Sequence, residues 1–359
     1  MIVLFPTYAR QAAGGRKWRI TVAGMAIRPL PRTSRRRAMA VAVLKRVMGL
    51  DDEQCAAPVF QQRSASFLFQ RLVGRHVRCG VGGLQFTAGQ TDRTGHFATT
   101  IDIDADRITG LGDRTPGTWL PTSAWLDDDD DAEPEAGDAA GAGIASGIVH
   151  LVPERGASVI SDIDDTVKLS NVANRRELLA NTFLREFVAV PGIGPIYRQW
   201  EEEGVAFHYV SSSPWQLADS LSGFFRDVGL PSGSLHLKLF RLKDSTPLGW
   251  LPSRKRSKRR AIERILADFP ARRFLLVGDS GERDPEVYAQ VARRHSGRIA
   301  GVMIRRVEGP RPATEKRFAR LERRLPAGLV RVFTDAEELA TPPAHRAPAA
   351  PVVPRAGPW

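Results

Sequence analysis

A chain of 359 residues with 42% hydrophobic content holds two domains or one large one, each with a real core. Lys and Arg outnumber Asp and Glu by 52 to 40, a net charge of +12 with an isoelectric point near 10.3. Such a surface favours phosphate-bearing partners, whether lipid, nucleic acid or small anion. Cys55 and Cys79 have no metal-ligand spacing and read as buried thiols in a reducing compartment. The opening Ile2-Val3-Leu4-Phe5 ends at Pro6, too short for a signal-peptide core, and no run reaches membrane-spanning length. The expected location is the cytoplasm, at most peripheral at a membrane.

Residues 1–126 read as a β-rich domain with one basic helix. Trp18 to Gly24 alternates as a strand. Arg35 to Leu50 places Val41, Leu44, Val47 and Met48 at helical spacing among Arg35, Arg36, Arg37, Lys45 and Arg46. Such a helix either packs on its own domain, the commoner case, or lies on an anionic bilayer. His76–Val81 and His96–Ile103 read as strands, with a turn at Thr91–Gly95, and several such short strands suggest a small β-sandwich. No catalytic constellation is visible there. Residues 127–146 begin with five aspartates and become Gly- and Ala-rich. They lack the spaced ligands of a Ca²⁺ loop and read as a solvated linker.

Residues 147–340 read as a second, α/β domain that opens on a strand at Gly147–Val152. Strands at Val159–Ile160, Val205–Val210, Leu235–Phe240, Phe274–Val277 and Ile299–Ile304 alternate with helices at Arg175–Phe187, Gly192–Glu203, Trp215–Val228, Lys258–Asp268 and Pro285–Arg294. Alternation of this kind predicts a doubly wound parallel sheet. Residues 341–359, rich in Pro and Ala, read as a disordered tail.

Three of these strands end in polar groups. After Val159-Ile160 come Asp162, Asp164, Asp165 and Thr166. Asp162 stands where a parallel strand opens onto its carboxyl-end crevice, the usual ligand site of an open α/β sheet. Asp162 and Asp164 are two apart, so in extended chain both side chains leave the same side. Clustered carboxylates ionise together only around a cation, and hard oxygen ligands point to Mg²⁺. Alone, Asp164-Asp165-Thr166 would read as a helix cap or a turn. The second strand, however, ends in Ser211-Ser212-Ser213-Pro214, whose hydroxyls can bond a phosphoryl oxygen. Pro214 equally suits a helix start. The third ends in Gly278-Asp279, with Asp284 five residues on.

The order DxDxT, strand-terminal Ser, Lys and GDSxxxD resembles the haloacid-dehalogenase superfamily of phosphotransferases. The wording "VISDIDDTV", "FHYVSSSPWQL", "KRRAIERILADFP" and "LLVGDSGERDPEVY" is closer still to the actin-patch-associated phosphatidate phosphatases of fungi and their bacterial relatives, over roughly Gly147 to Val307. The resemblance implies a haloacid-dehalogenase-like catalytic domain behind an N-terminal β domain. It implies Asp162 as nucleophile, forming an aspartyl-phosphate, and Asp164 as the acid and then the base. Mg²⁺ would be held by Asp162, the backbone carbonyl of Asp164 and Asp279, with Asp284 orienting a metal-bound water or the Asp279 carboxylate. Ser211 and Ser212 would bind the phosphoryl oxygens.

Lys258 best matches the family's cation, ahead of Lys255. It stands in a basic run, Arg254 to Arg260, that could also be a solvated charge cluster or a nucleic-acid patch. A position at a helix start would add the attraction of a helix N-terminus for anions.

About 45 residues separate Thr166 from Ser211 and Ser213 from Lys258, most already assigned to core elements, which leaves little room for a cap over the site. The expected activity is a Mg²⁺-dependent phosphatidate phosphatase yielding diacylglycerol and phosphate, drawn to anionic membrane surfaces. Two alternatives stand beside it: a phosphatase on another bulky phosphomonoester such as a nucleic-acid end, and a non-catalytic basic binding module.

Overall fold

The computed structural model describes residues 1–12, 14–109, 119–127, 143–238, 254–307 and 315–339. Residues 128–142 of the linker reading, the end of the strand at Phe240 and the 341–359 tail lie outside these residues, while Ala145 and Ser146, read as linker, open a strand. The chain divides into two compact units, Met1–Glu154 with the short pieces Gln216–Ala218 and Gly233–Leu235, and the remainder.

The first unit is β-rich. Its elements are β1 (Ile2–Leu4), β2 (Thr7–Gln11), β3 (Lys17–Pro29), α1 (Arg35–Met48), α2 (Asp52–Ala56), α3 (Pro58–Ala65), β4 (Phe69–Arg71), β5 (His76–Val81), β6 (Leu84–Gln90), β7 (His96–Asp104), α4 (Ala105–Thr109), β8 (Trp119–Leu126) and β9 (Ala145–Val152). The strands join one sheet along β1-β3-β2-β9-β8-β5-β6, with β4 and β7 also paired to β3. Pairing is antiparallel except between β2 and β9. Alternate side chains of these strands, among them Ile20, Val22, Val77, Cys79, Leu120 and Val149, form one buried core.

Two expectations change here. The strand at Gly147–Val152 does not open the α/β unit. It is part of β9, which pairs with β8 and β2, because its alternate apolar side chains complete the first core. Cys79 is buried as expected, whereas Cys55 is only half-buried. Burial pushes the Cys79 thiol up to about 11.

α1 starts at Ser34, whose hydroxyl accepts from the Arg37 amide, and stops at Gly49, a left-handed residue whose N–H reaches the Lys45 carbonyl. Val41, Leu44 and Met48 are half-buried, but Val47, read with them as one apolar face, is exposed.

The second unit contains β10 (Gly156–Ser161), α5 (Arg175–Phe183), α6 (Ile193–Glu202), β11 (Ala206–Pro214), α7 (Ala218–Asp227), β12 (Ser234–Lys238), α8 (Arg254–Asp268), β13 (Arg272–Asp279), α9 (Asp284–Arg294), β14 (Ile299–Arg305), α10 (Glu315–Glu322) and β15 (Val330–Phe333). The sheet order is β12-β11-β10-β13-β14-β15. β10 runs parallel to β11 and β13, β13 to β14, and β14 to β15. The central strands β10, β13 and β14 are buried over almost every residue, which is why they read as continuous apolar runs without alternation. The strand order reverses between β10 and β13, the first and fourth strands of this sheet in the chain. In open α/β sheets that reversal leaves a crevice at the carboxyl ends of the strands.

Arg272 anchors the opposite end of β10. Its buried guanidinium donates to the carbonyls of Arg155 and Ala157 and, at 2.8 Å, to the Ser158 hydroxyl. Gly156 sits at φ +124°, where a side chain would be strained, and a Cβ there would crowd the guanidinium at 3.2 Å.

Leu276 is fully buried in the middle of β13. Leu276→Ala leaves a cavity between sheet and helices, with an expected loss of about 2–5 kcal/mol of unfolding free energy. Urea denaturation measures it, and a change below about 1 kcal/mol would show a site that collapses freely.

Candidate active site

Asp162 follows the last residue of β10, and its amide donates to the Val277 carbonyl of β13 at 2.8 Å. Asp279 closes β13 itself, and Asp284 opens α9. Asp279 and Asp284, 117 and 122 residues beyond Asp162 in sequence, thus converge with it at the strand-order reversal. All three carboxylates are buried, and one oxygen from each lies within 4.8 Å of the others.

Each carboxylate uses one oxygen within the protein. The buried ammonium of Lys258 reaches Asp162 Oδ1 at 2.8 Å and Asp284 Oδ1 at 2.5 Å. Asp279 Oδ1 accepts from the amides of Gly281 and Glu282 at 2.6 and 3.0 Å. The second oxygen of all three, Oδ2, is buried with no hydrogen-bond partner. Buried polar atoms are almost always paired, so three orphaned oxygens within one cluster of carboxylates require an explanation. A hard divalent cation with oxygen ligands supplies one, and these are the residues that could hold it.

The electrostatics agree. Burial pushes the Asp162 carboxyl well above its ordinary range, against the pull of Lys258, with Asp284 and Asp279 adding to the rise. Asp279 is pushed up to about 8 by burial and then by Asp284. For Lys258, burial would lower the pKa, but Asp162 and Asp284 outweigh it and hold the ammonium well above its ordinary range. Three carboxylates and one ammonium leave two negative charges, which one divalent ion would neutralise. Without it, protonation is the alternative route to neutrality.

Lys258 does not stand at a helix start. α8 begins at Arg254, so Lys258 lies in its second turn and the helix N-terminus does not assist it. Of the basic run, the side chains of Arg254, Lys255 and Arg256 lie outside the described residues.

Asp164 has a separate environment. Lys168 reaches its Oδ1 at 2.8 Å, and the hydroxyls of Ser170, Ser211 and Ser213 donate to it at 2.7, 3.0 and 2.7 Å. Burial would raise this carboxyl, but Lys168 and the Ser213 and Ser170 hydroxyls outweigh burial and hold it below the usual carboxylate range. Its carboxylate is therefore not among the clustered oxygens; the sequence expectation put its carbonyl, not its side chain, on the ion.

The serines divide by strand alternation. β11 runs on through Pro214, so the Ser-Pro pair ends a strand, and the helix begins after a 3₁₀ turn at Trp215–Leu217. Ser211 and Ser213 face Asp164 together, and the Ser213 amide donates to Ser211 Oγ at 2.9 Å. Ser212 leaves the other side of the strand, its buried hydroxyl unpartnered. Ser211 and Ser212 are thus not brought together on one ligand.

Lys168 and Ser170 were not singled out from sequence, and Ser213 was named only among the hydroxyls that end its strand. Their signal was Lys168 four residues after Asp164 and hydroxyls flanking both motifs. Asp165 was missed as well. It adopts φ +55°, and its carboxylate accepts from the amides of Ser170, Asn171 and Val172 at 2.7–2.8 Å, folding that segment back towards Asp164. Arg317, on α10, braces the loop between Asp279 and Asp284. It bonds both oxygens of Glu286 at 2.8 Å and the carbonyls of Ser280 and Glu282 at 2.6 and 2.7 Å. Gly278 makes room for the cluster, since a Cβ there would meet Asp284 Oδ2 at 2.5 Å.

A family model described as "Phosphatidate phosphatase APP1, catalytic domain" matches residues 157–306. The chain is 34% identical over 163 residues to an uncharacterized protein of Schizosaccharomyces pombe, covering 44% of this chain and 26% of that protein. It is 34% identical over 160 residues to phosphatidate phosphatase APP1 of Saccharomyces cerevisiae, covering 44% and 27% respectively. The resemblance of this segment to the actin-patch-associated phosphatidate phosphatases is thereby borne out. The chain spans about a quarter of the length of these curated relatives. Lys168, Ser211, Ser213 and Lys258 fall inside the matched segment and Arg317 outside it.

The crowded carboxylates have a measurable consequence. A carboxyl at 3.8 unfolded and about 8 folded binds its proton more tightly in the native state. Its contribution to stability is therefore lost as pH rises through that window. In chelator, unfolding free energy should fall between about pH 4 and 8 less steeply in Asp279→Asn than in the unaltered protein. Parallel slopes in denaturant titrations would show that Asp279 is not crowded.

Proposed function

We propose that this chain is a Mg²⁺-dependent phosphatidate phosphatase acting through an aspartyl-phosphate. We propose further that its second unit is a doubly wound, haloacid-dehalogenase-like domain and its first a sandwich-like β domain. The observation that carries the reading is the trio of orphaned carboxylate oxygens beside Lys258, inside the segment matching the phosphatidate phosphatase catalytic domain.

In this reading Asp162, Asp279 and Asp284 would hold the ion, which would supply positive charge against the incoming phosphate. Asp162 attacks phosphorus, the P–O bond to the glycerol oxygen breaks, and the departing alkoxide takes a proton from Asp164. Diacylglycerol leaves. Water then attacks the same phosphorus, its proton passes to Asp164, and phosphate departs from Asp162. Lys258 orients Asp162 and offsets charge gathering on the phosphoryl group.

The cage around Asp164 bears on this sequence. A carboxyl held below its usual range by Lys168 and the Ser213 and Ser170 hydroxyls is a poor acid where it stands. To carry a proton it must leave the cage, which the second oxygen's bonds to Ser211 and Ser213, both hydroxyls able to turn elsewhere, make feasible. Ser211 would then be released to a phosphoryl oxygen.

A bulky lipid substrate fits the net charge of +12 and the short spacings of the motifs. Among the described residues no helix is long and apolar enough to cross a membrane; the proposed reading has the lipid met at a peripheral, cytoplasmic surface.

Phosphate release from phosphatidate micelles, nucleic-acid ends and phosphopeptides, with and without Mg²⁺, tests the reading. Mg²⁺-dependent release from phosphatidate is expected; release confined to nucleic-acid ends would replace the substrate. Asp162→Asn should lower turnover by at least roughly a hundredfold, because an amide does not attack phosphorus. Retention of more than a few per cent of activity removes Asp162 as nucleophile.

Asp279→Ala, which deletes a ligand, should move the Mg²⁺ activation curve to higher concentration. Superimposable curves would dismiss this metal assignment.

A further inference from the structure

α1 has no buried side chain. While Val41, Leu44 and Met48 are half-buried, Met39, Val43 and Val47 stand 68%, 55% and 46% exposed. These three are four residues apart, so they stack into one stripe along the helix. At 3.6 residues per turn Arg36 falls within the arc of that stripe, and Arg35 and Arg46 lie along one flank. All three arginines are exposed, and α1 contains no acidic residue.

Three large apolar side chains in water, aligned with one arginine among them and two along one flank, make a surface of mixed chemistry. Its apolar atoms gain by leaving water. Its guanidinium groups match phosphate in bidentate geometry, and their long stems allow the charge to stay at headgroup level while neighbouring side chains go deeper. An anionic bilayer interface offers both layers at the right separation.

We propose that α1 docks on anionic lipid bilayers, with Met39, Val43 and Val47 entering the headgroup–acyl boundary and Arg35, Arg36 and Arg46 at the phosphates. This rests on the lipid-phosphate reading above for its choice of surface and adds the element, and the side chains, that meet it.

Flotation of the full chain with vesicles tests it, comparing phosphatidylcholine alone with phosphatidylcholine containing phosphatidylserine. Binding to the anionic vesicles is expected, weakening as salt rises. Combining Met39→Ser, Val43→Ser and Val47→Ser should weaken that binding by at least about tenfold while sparing hydrolysis of a soluble phosphomonoester. Combining Arg35→Gln, Arg36→Gln and Arg46→Gln should weaken it and flatten its salt dependence. Val43→Trp should strengthen it with hydrolysis of the soluble phosphomonoester unchanged, which separates the gain from misfolding. Undiminished flotation of the triple serine variant overturns the proposal, and so does a self-association that the serine substitutions abolish. Vesicle binding that obeys these variants in a protein releasing no phosphate from any substrate would leave docking standing and remove the phosphatase reading. Phosphatidate hydrolysis in micelles with no vesicle binding would do the reverse.

Discussion

Everything in the carboxylate cluster depends on one buried ammonium. Lys258 reaches from the second turn of α8 to Asp162 and Asp284 together. A buried charge is costly unless paired, and breaking a buried pair leaves its partner uncompensated. Here the pairing is incomplete by design of charge: one cation faces three carboxylates. The remaining imbalance is of the sign and size that a divalent ion removes. A stability-driven arrangement would have matched the charges within the protein. This one leaves them unmatched at the single point where the sheet's strand order reverses.

The contrast with Asp164 shows that the surplus is local. Two residues along the same chain, a second buried carboxylate has its own lysine and three hydroxyls, and no orphaned oxygen. Neighbouring acids are thus pushed in opposite directions, Asp162 above the ordinary carboxylate range and Asp164 below it. Divergent environments for adjacent titratable groups are how one site assigns different chemical tasks to the same side chain. The turn after Asp164, which brings Lys168 and Ser170 back to it, is held by Asp165, whose left-handed backbone is sustained by three amide bonds to its own carboxylate.

The sequence made the strand-ending groups legible because parallel strands buried on both faces are unbroken apolar runs, and polarity begins where they stop. Asp162 and Asp279 stand out for that reason. Lys258 was legible through a family pattern, but its place in α8 was not, since a run of seven residues with six cations offers no periodicity to mark a helix start. Gly147–Val152 was misassigned because a strand's own residues do not say which sheet it joins; its partners β2 and β8 are remote in sequence. The roles of Lys168, Ser170 and Arg317 depend on how loops fold back, which is set by backbone bonds to Asp165 and by the docking of α10, and leaves no periodic trace.

Gly278 shows how tightly strand and cluster are joined. It precedes Asp279 in β13, where glycine ordinarily weakens a strand by its entropy and its missing packing. The vacant Cβ position is filled by the Asp284 carboxylate and the ring of Tyr288, whose hydroxyl donates to the Val277 carbonyl at 3.0 Å. Asp284 can therefore approach the strand closely enough to share Lys258 with Asp162 only because residue 278 has no side chain. A methyl group there would drive Asp284 from the ammonium or tilt α9 away from the sheet, and either movement would open the set of three oxygens. The Gly-Asp pair that reads from sequence as a strand end followed by an acid is, in the folded chain, a space and its occupant five residues further on.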